Sequence, residues 1–171
     1  MALSDFDLVF FGGSGDLAMR KLLPAMYARD VCNDLPATAR IICVGRDAMS
    51  QEAFIDMVET HAKPHMKENV DAAAWQAFLK RITYFAVDAG NVATYAGLVE
   101  ALRQDAGITR VYYLATPPQL FAQICENLAA VGLATPDSRV VLEKPLGRDL
   151  ASAKQINADV GKVLASTEVK E

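Results

Sequence analysis

The chain has 171 residues, of which 52% are hydrophobic and 22% charged, so it can build an apolar core and is not expected to be disordered. Its net charge of −4 argues against a nucleic-acid partner, because such proteins usually carry a basic surface. No apolar run approaches the ~18 residues that a membrane helix needs. The first residues show no signal-peptide pattern. We therefore expect no membrane association and a cytoplasmic location.

Short apolar runs alternate along the chain with longer segments of helical period. Strands are predicted at residues 7–11, 40–45, 82–87, 110–115 and 139–143. Helices are predicted at residues 17–29, 93–106, 118–131 and 149–164, with two more between 51 and 80 that are separated near Pro64. This alternation predicts an α/β protein with a doubly wound, mainly parallel sheet of the Rossmann type and helices on both faces.

The first predicted strand runs directly into a glycine-rich turn, residues 12–18 (GGSGDLA). Gly12 and Gly13 are expected to adopt positive φ in a tight turn. Gly15 has no Cβ, so a pyrophosphate can approach the backbone, and Ala18 is small enough for close packing of helix on strand. The helix that follows presents free N–H groups to an anion. The turn is thus predicted to bind a dinucleotide, and its position between strand and helix disfavours a plain glycine turn.

The second strand ends at Arg46, where a domain specific for NAD usually has an acidic residue. A guanidinium can bind a 2′-phosphate with two hydrogen bonds, and Ser14 can add a hydroxyl. We therefore predict a preference for NADP. Two alternatives stay open at this point: Arg46 can be a solvated loop residue paired with Asp47, and Asp47 itself leaves NAD use possible.

Four motifs, in this order, resemble the N-terminal part of glucose-6-phosphate dehydrogenases. They are residues 12–24 (GGSGDLAMRKLLP), 44–46 (VGR), 113–118 (YLATPP) and 143–147 (EKPLG). The resemblance implies an oxidoreductase of carbohydrate metabolism. It would oxidise glucose 6-phosphate to 6-phosphogluconolactone with NADP, the first step of the pentose phosphate pathway.

The same resemblance assigns roles to individual residues. Those it implies for coenzyme binding are Gly12, Gly13, Ser14, Gly15, Asp16, Leu17, Arg46, Ala115, Thr116, Pro117, Pro118, Glu143 and Lys144. For the substrate it implies Lys21, near the sugar phosphate, and Lys144, which contacts both ligands. On spacing alone, Lys21 also fits an ordinary surface cation of a helix.

The sequence departs from the family after the last predicted helix. The family continues there with a strand, an Asp-His-Tyr segment and a large substrate and dimerisation domain, none of which is found in these 171 residues. Neither His61 nor His65 matches a catalytic position, and Pro64 between them disfavours a helical metal site. We expect residues 1–164 to form an NADP-binding domain followed by a tail, 165–171. By itself this chain should bind NADP with little or no catalysis.

Two questions remain open from the sequence. The chain could be a stand-alone NADPH-binding or sensor module, or an NADP oxidoreductase of the Gfo/Idh type. The residues after Gly15 and the Pro117-Pro118 pair favour the glucose-6-phosphate dehydrogenase family over the Gfo/Idh type. Full-length members of that family are homo-oligomers, but the oligomeric state of this chain is not predicted. The three cysteines, Cys32, Cys43 and Cys125, lack metal-site spacing and are expected to be buried in the core.

Overall fold

Five parallel strands form one sheet in a computed structural model of the chain, which describes residues 5–67, 69–103, 107–143 and 150–164. The strands are β1 (Phe6–Phe11), β2 (Arg40–Gly45), β3 (Ile82–Ala86), β4 (Thr109–Leu114) and β5 (Ser138–Leu142). Their order across the sheet is β3-β2-β1-β4-β5. Each lies within one residue of its predicted bounds, because continuous apolar runs mark strands that are covered on both faces.

Helices cover both faces of this sheet, which confirms the doubly wound prediction. They are α1 (Leu23–Val31), α2 (Gln51–His61), α3 (Ala72–Leu79), α4 (Ala96–Arg103), α5 (Phe121–Ala130) and α6 (Leu150–Leu164). The first three bury an aromatic cluster that includes Phe54, Trp75 and Phe78. The last three bury a second cluster around Leu98 and Ile124 on the opposite face. The sheet is thus held between two separate apolar layers.

The break predicted near Pro64 is confirmed. Helix α2 begins at a Ser50 cap, whose hydroxyl accepts a hydrogen bond from the Ala53 N–H, and it ends at His61. A short 3₁₀ turn, Lys63–His65, follows, because proline cannot donate the next helical hydrogen bond. Helix α3 then begins at its own cap, Asp71, which accepts a hydrogen bond from the Ala74 N–H.

A buried ion pair joins the amino ends of the two central strands. Asp7 of β1 is fully buried, and both of its carboxylate oxygens accept hydrogen bonds from the guanidinium of Arg40 in β2. A carboxylate at such a position is tolerated only when it is paired, since desolvation would otherwise be costly. Charge therefore fixes the register of β1 against β2 at the end of the sheet that is opposite to the glycine turn.

The cysteines correct one expectation. Cys43 and Cys125 are buried, and burial raises the pKa of both thiols, that of Cys125 to about 11. Cys32 is exposed, so its prediction as a core residue was wrong. It follows the last turn of α1, where Asn33 adopts a φ of 57° and the chain turns away from the core.

Across the described ranges, no helix combines the length and the apolar character that crossing a membrane would require.

The strand order creates a switch point between β1 and β4. From β1 the chain moves outward through β2 to β3, and it then crosses back to β4 on the other side of β1. In open α/β sheets, ligands bind at the carboxyl ends of the strands where the order reverses. The glycine-rich turn and the loop after β4 both lie at this edge.

Candidate functional site

The glycine-rich turn is tied to the second strand by its own backbone. The N–H groups of Gly12 and Gly13 both donate to the carbonyl of Val44, at 2.9 and 2.8 Å, and the Gly15 N–H donates to the Gly12 carbonyl at 3.0 Å. Because Phe11 pairs with Val44 in the sheet, the turn continues the β1–β2 pairing for two more residues. The loop is therefore held rigidly at the carboxyl edge.

Gly12 is required by both its conformation and its surroundings. Its φ is +84°, as predicted, and a Cβ at this position would lie 2.6 Å from the carbonyl oxygen of Ala115. The Ala115 N–H in turn donates to the Phe11 carbonyl at 2.9 Å. Gly12 thus lets the first residue after β4 lie directly against the end of β1.

Gly13 has a different role from the predicted one. It is not among the residues with positive φ in the described chain, so that part of the prediction was wrong. A Cβ there would instead lie 2.6 Å from the Cβ and 2.8 Å from the Cα of Cys43. Gly13 is therefore needed because the turn packs directly on the backbone of β2.

Gly15 faces open space and marks the start of the first helix. A Cβ would meet only the Gly12 carbonyl oxygen, at 3.1 Å, and the residue is exposed. Helical structure begins with Asp16 and Leu17, so the first N–H groups have no partner within the helix. Ala18 is fully buried, as close helix packing requires. A glycine with an open face beside free helix amides is the cradle that a pyrophosphate needs.

After Asp16 and Leu17 the helix forms a π-helical turn, Ala18–Leu22, and α1 then continues in α form. Such turns are rare and often occur at functional sites. This one carries Arg20 and Lys21 on its exposed side. Arg20 forms a loose ion pair with Asp16 at 3.6 Å, with both side chains mostly exposed. Lys21, predicted to contact a sugar phosphate, is exposed at the surface one turn from Leu17.

The end of β2 brings Ser14 and Arg46 to the same edge. A Cβ on Gly45 would collide with the Ser14 hydroxyl and would lie 2.8 Å from the Tyr84 hydroxyl, so Ser14 lies against the residue that precedes Arg46. Arg46 is exposed. Within the described part of the chain its guanidinium has no ion pair or side-chain hydrogen bond, and the alternative pairing with Asp47 is not found. A guanidinium and a hydroxyl at the same edge of the sheet suit a phosphate.

Tyr84 is a contributor that the sequence reasoning missed. Its hydroxyl donates to the Asp47 carbonyl at 2.6 Å, and its ring stacks on Phe54 at 4.5 Å between centroids. Burial, then the nearby charge of Asp47, raises the pKa of Tyr84, and a hydrogen bond with Ser14 partly offsets this. The phenol therefore remains a neutral donor that holds the loop bearing Arg46. A tyrosine in β3 was the available signal, because β3 adjoins β2.

The loop after β4 contains the predicted Ala-Thr-Pro-Pro segment. Thr116 is partly buried, and its hydroxyl oxygen is buried without a hydrogen-bond partner. Pro117 is exposed, and Pro118 opens a 3₁₀ turn, Pro118–Leu120, that leads into α5. The two prolines keep this loop stiff beside the glycine turn.

The predicted residues after β5 are placed only in part. Glu143 follows the strand directly and is half-buried. Burial and, second, the negative charge of Glu143 raise the pKa of Tyr113 in β4, so the carboxylate lies close to that side of the sheet. Lys144, predicted to contact both ligands, lies outside the described residues.

A cavity of about 490 Å³ opens beside the start of the first helix. It is lined by Gly15, Asp16 and Arg20 on one side and by His61 and His65 on the other. Among the described residues, no group of three or more potential ligands could hold a metal ion. Both histidines thus lie near the glycine turn. A cavity of about 540 Å³, lined by Asp30, Arg40 and Arg81 among others, contains no predicted site residue.

Comparison with known proteins identifies relatives over almost the whole chain. Residues 9–169 match the family model described as glucose-6-phosphate dehydrogenase, NAD binding domain. The chain is 43% identical to glucose-6-phosphate 1-dehydrogenase of Mycolicibacterium smegmatis over 168 residues, which covers 95% of this chain and 34% of that protein. The enzyme of Rhizobium meliloti is 38% identical, with 96% and 34% covered.

Solved structures agree with this result. A crystal structure of glucose-6-phosphate 1-dehydrogenase from Mycobacterium avium matches with a TM-score of 0.84 and 34% identity, over 94% of this chain and 34% of that one. A glucose-6-phosphate dehydrogenase in complex with its substrate glucose-6-phosphate matches with a TM-score of 0.80 and 29% identity, over 95% and 36%. The chain spans about a third of the length of these relatives. It belongs to the glucose-6-phosphate dehydrogenase family and corresponds to the family's N-terminal, NAD-binding domain.

Proposed function

We propose that this chain is an NADP-binding domain, and that Arg46 selects the 2′-phosphate. The observation that carries the proposal is the exposed Arg46 guanidinium, which has no ion pair within the described ranges, at the same edge as Ser14 and the glycine turn. The acidic residue that would bond a ribose 2′-hydroxyl is replaced here by a cation. A bound 2′-phosphate would give this cation a partner.

The residues present fit such a coenzyme. The open face of Gly15 and the first helix amides at Asp16 and Leu17 would hold the pyrophosphate. Arg46 and Ser14 would hold the adenosine phosphate on the β2 side. Ala115 and Pro118 would lie along the other half of the dinucleotide on the β4 side. When bound, the nicotinamide supplies a hydride acceptor.

Thermal unfolding of the chain with increasing NADP tests the binding directly. A ligand that binds only the folded state at 100 times its Kd stabilises by about 2.7 kcal/mol. For a domain of this size that corresponds to a rise in Tm of roughly 5–10 °C. Inorganic pyrophosphate at the same concentration is the control and should give a much smaller rise. Equal shifts for both would contradict a dinucleotide site.

We further propose that the whole protein oxidises glucose 6-phosphate at C1 to 6-phosphogluconolactone. The support is membership of the family and the relative whose structure holds glucose-6-phosphate as substrate. Lys21 and Lys144 are the residues proposed to contact the sugar phosphate from this domain. His61 and His65, the two histidines of the 171 residues, line the cavity beside the glycine turn, and neither matches the family's position for the base that accepts the C1 hydroxyl proton.

The chain by itself is therefore proposed to bind coenzyme with little or no turnover. Loss of a general base alone lowers rates by about 10²–10⁴. Formation of NADPH from glucose 6-phosphate and NADP, followed by absorbance, tests this, with a full-length relative as positive control. Turnover within tenfold of that control would refute it. Binding without turnover would fit both a coenzyme domain and a stand-alone NADPH-binding module.

A further inference from the structure

A glutamine side chain occupies part of the open edge of β3. This strand lies at one edge of the sheet, so every second residue directs its backbone N–H and carbonyl away from β2. Two of these groups are bonded by the amide of Gln51, the first residue of α2. Its Nε2 donates to the Ile82 carbonyl at 2.8 Å, and its Oε1 accepts from the Tyr84 N–H at 2.9 Å. The side chain thus makes the two bonds that one residue of a neighbouring parallel strand would make.

The same two bonds fix the far end of the loop that carries Arg46. This Arg46 loop, residues 46–50, joins β2 to α2, and its first end is fixed because β2 lies inside the sheet. Its middle is held by the Tyr84 hydroxyl, which donates to the Asp47 carbonyl at 2.6 Å. Gln51, directly after the loop, is held by the backbone of β3. Strand β3 therefore holds the loop at two points beyond its origin in β2.

The two bonds of Gln51 are not needed to begin α2 or to pack it. The Ser50 hydroxyl already caps the helix by accepting from the Ala53 N–H at 3.1 Å. Phe54 and Val58 are fully buried and fix the helix against the core. Gln51 is itself exposed, so its substitution should leave that core intact. What the two bonds add is the position of the first turn of α2 along β3, and with it the course of the Arg46 loop.

Preorganisation explains why the course of this loop affects binding. Arg46 is exposed, so its side chain must become ordered when it binds a phosphate. A loop that is already fixed lowers this cost, because the backbone then needs no further ordering. The affinity for a phosphate at Arg46 therefore depends on the contacts that hold the loop.

We propose that Gln51 is a positioning residue, whose two bonds to β3 hold the Arg46 loop ready for the 2′-phosphate and so raise the preference for NADP over NAD. This inference rests on the proposed NADP function. It adds a residue that acts through Arg46 from the start of α2. The effect should fall on NADP alone, because NAD has no 2′-phosphate for Arg46 to bind.

The test uses Gln51→Met, which keeps the length and helix-forming character of the side chain and removes both bonds. The control is Gln76→Ala, at an exposed glutamine of α3. NADP and NAD are titrated by calorimetry into both variants and the unmodified chain. In Gln51→Met the NADP Kd should rise about fourfold, since two exposed hydrogen bonds worth about twofold each are lost, and the NAD Kd should stay within about 1.5-fold. In Gln76→Ala neither Kd should change.

Two further measurements separate positioning from a general effect on the fold. The Tyr84 N–H should exchange with deuterium faster in Gln51→Met than in the unmodified chain, because its acceptor is gone. In an Arg46→Ala background, Gln51→Met should change the NADP Kd by less than about 1.5-fold, because residues that act together are not additive.

The outcomes separate this proposal from the proposed function. An unchanged NADP affinity in Gln51→Met, or equal losses for NADP and NAD, would overturn the role of Gln51 and leave the coenzyme site intact. A loss that persists in the Arg46→Ala background would also overturn it, as would unchanged exchange of the Tyr84 N–H. If the unmodified chain binds neither coenzyme, or binds both equally, the proposed NADP function and the role of Gln51 fall together.

Discussion

Alanine substitutions of two glycines in the glycine-rich turn should separate an effect on stability from an effect on coenzyme binding. In Gly13→Ala, the added methyl group would lie 2.6 Å from the Cβ of Cys43 and 2.9 Å from the Val44 nitrogen. Carbon atoms in contact normally lie about 3.5–4.0 Å apart. Strand β2 must therefore move by about 1 Å, although it is fixed between β1 and β3. We expect the main effect of Gly13→Ala on folding and that of Gly15→Ala on binding.

The expected magnitudes follow from these contacts. Overpacking costs about 1–3 kcal/mol, and the upper end applies to Gly13→Ala because the clash is with backbone. Alanine also lowers the conformational entropy of the unfolded chain, which stabilises the folded state by about 0.4–1 kcal/mol. The net loss in unfolding free energy is therefore about 2 kcal/mol. In Gly15→Ala the same gain offsets a tight contact at 3.1 Å with one oxygen. Its stability should stay within about 1 kcal/mol of the unmodified chain.

Urea denaturation followed by fluorescence of Trp75, the only tryptophan and a fully buried one, measures both stabilities. NADP titration of the same samples should show that Gly15→Ala loses at least tenfold in affinity, since the methyl group occupies the face open to pyrophosphate. An unchanged midpoint for Gly13→Ala would refute the packing argument. A Gly15→Ala variant that still binds NADP normally would refute the claim that the open face of Gly15 binds the pyrophosphate.

Three further predictions concern the loop bearing Arg46, the buried ion pair and the thiols. Tyr84→Phe releases the Asp47 carbonyl, so NADP affinity measured by calorimetry should fall about threefold to tenfold while NAD affinity stays the same. Asp7→Ala removes the fully buried carboxylate that binds Arg40, and because the Arg40 side chain is partly exposed, urea denaturation should show a loss of about 1–2 kcal/mol. At pH 8, iodoacetamide should label Cys32 alone in the folded chain and all three cysteines in urea, because burial raises the pKa of the other two thiols and shields them.

Each of these has an outcome that counts against it. Equal losses of NADP and NAD affinity in Tyr84→Phe would mean a general disturbance of the site. A stability for Asp7→Ala within about 0.5 kcal/mol of the unmodified chain would show that the ion pair is replaceable by water. Labelling of more than one thiol in the folded chain would show that the core opens under native conditions.

Much of the architecture could be predicted from local pattern. A run such as Leu-Val-Phe-Phe in β1 is continuous because helices cover the strand on both faces. The five strands and their parallel direction could therefore be predicted from such runs and the helices between them. The glycine turn followed from spacing within one short segment, and the family from the resemblance of four short motifs. These features depend on residues close together in sequence.

The remaining features depend on contacts between distant parts of the chain. The role of Gly13 is set by Cys43 across the sheet, and the contribution of Tyr84 depends on a carbonyl 37 residues away. The π-helical turn at Ala18–Leu22 has an ordinary helix-forming composition and gives no local signal. The unpaired hydroxyl of Thr116 became evident only once the surrounding loop was placed.

The central claim is that Arg46 recognises the phosphate that distinguishes NADP from NAD, and a cycle of four affinities tests it most directly. NADP and NAD are titrated by calorimetry into the unmodified chain and into Arg46→Ala, with Arg29→Ala, an exposed arginine paired with Asp34, as the charge-matched control. Because Arg46 is exposed, we expect the low end of the 1.5–3 kcal/mol of a charge-assisted hydrogen bond, a preference for NADP of about tenfold. That preference should vanish in Arg46→Ala and persist in Arg29→Ala, with NAD affinity unchanged throughout. The same ratio of NADP to NAD affinity in all three proteins would contradict the account.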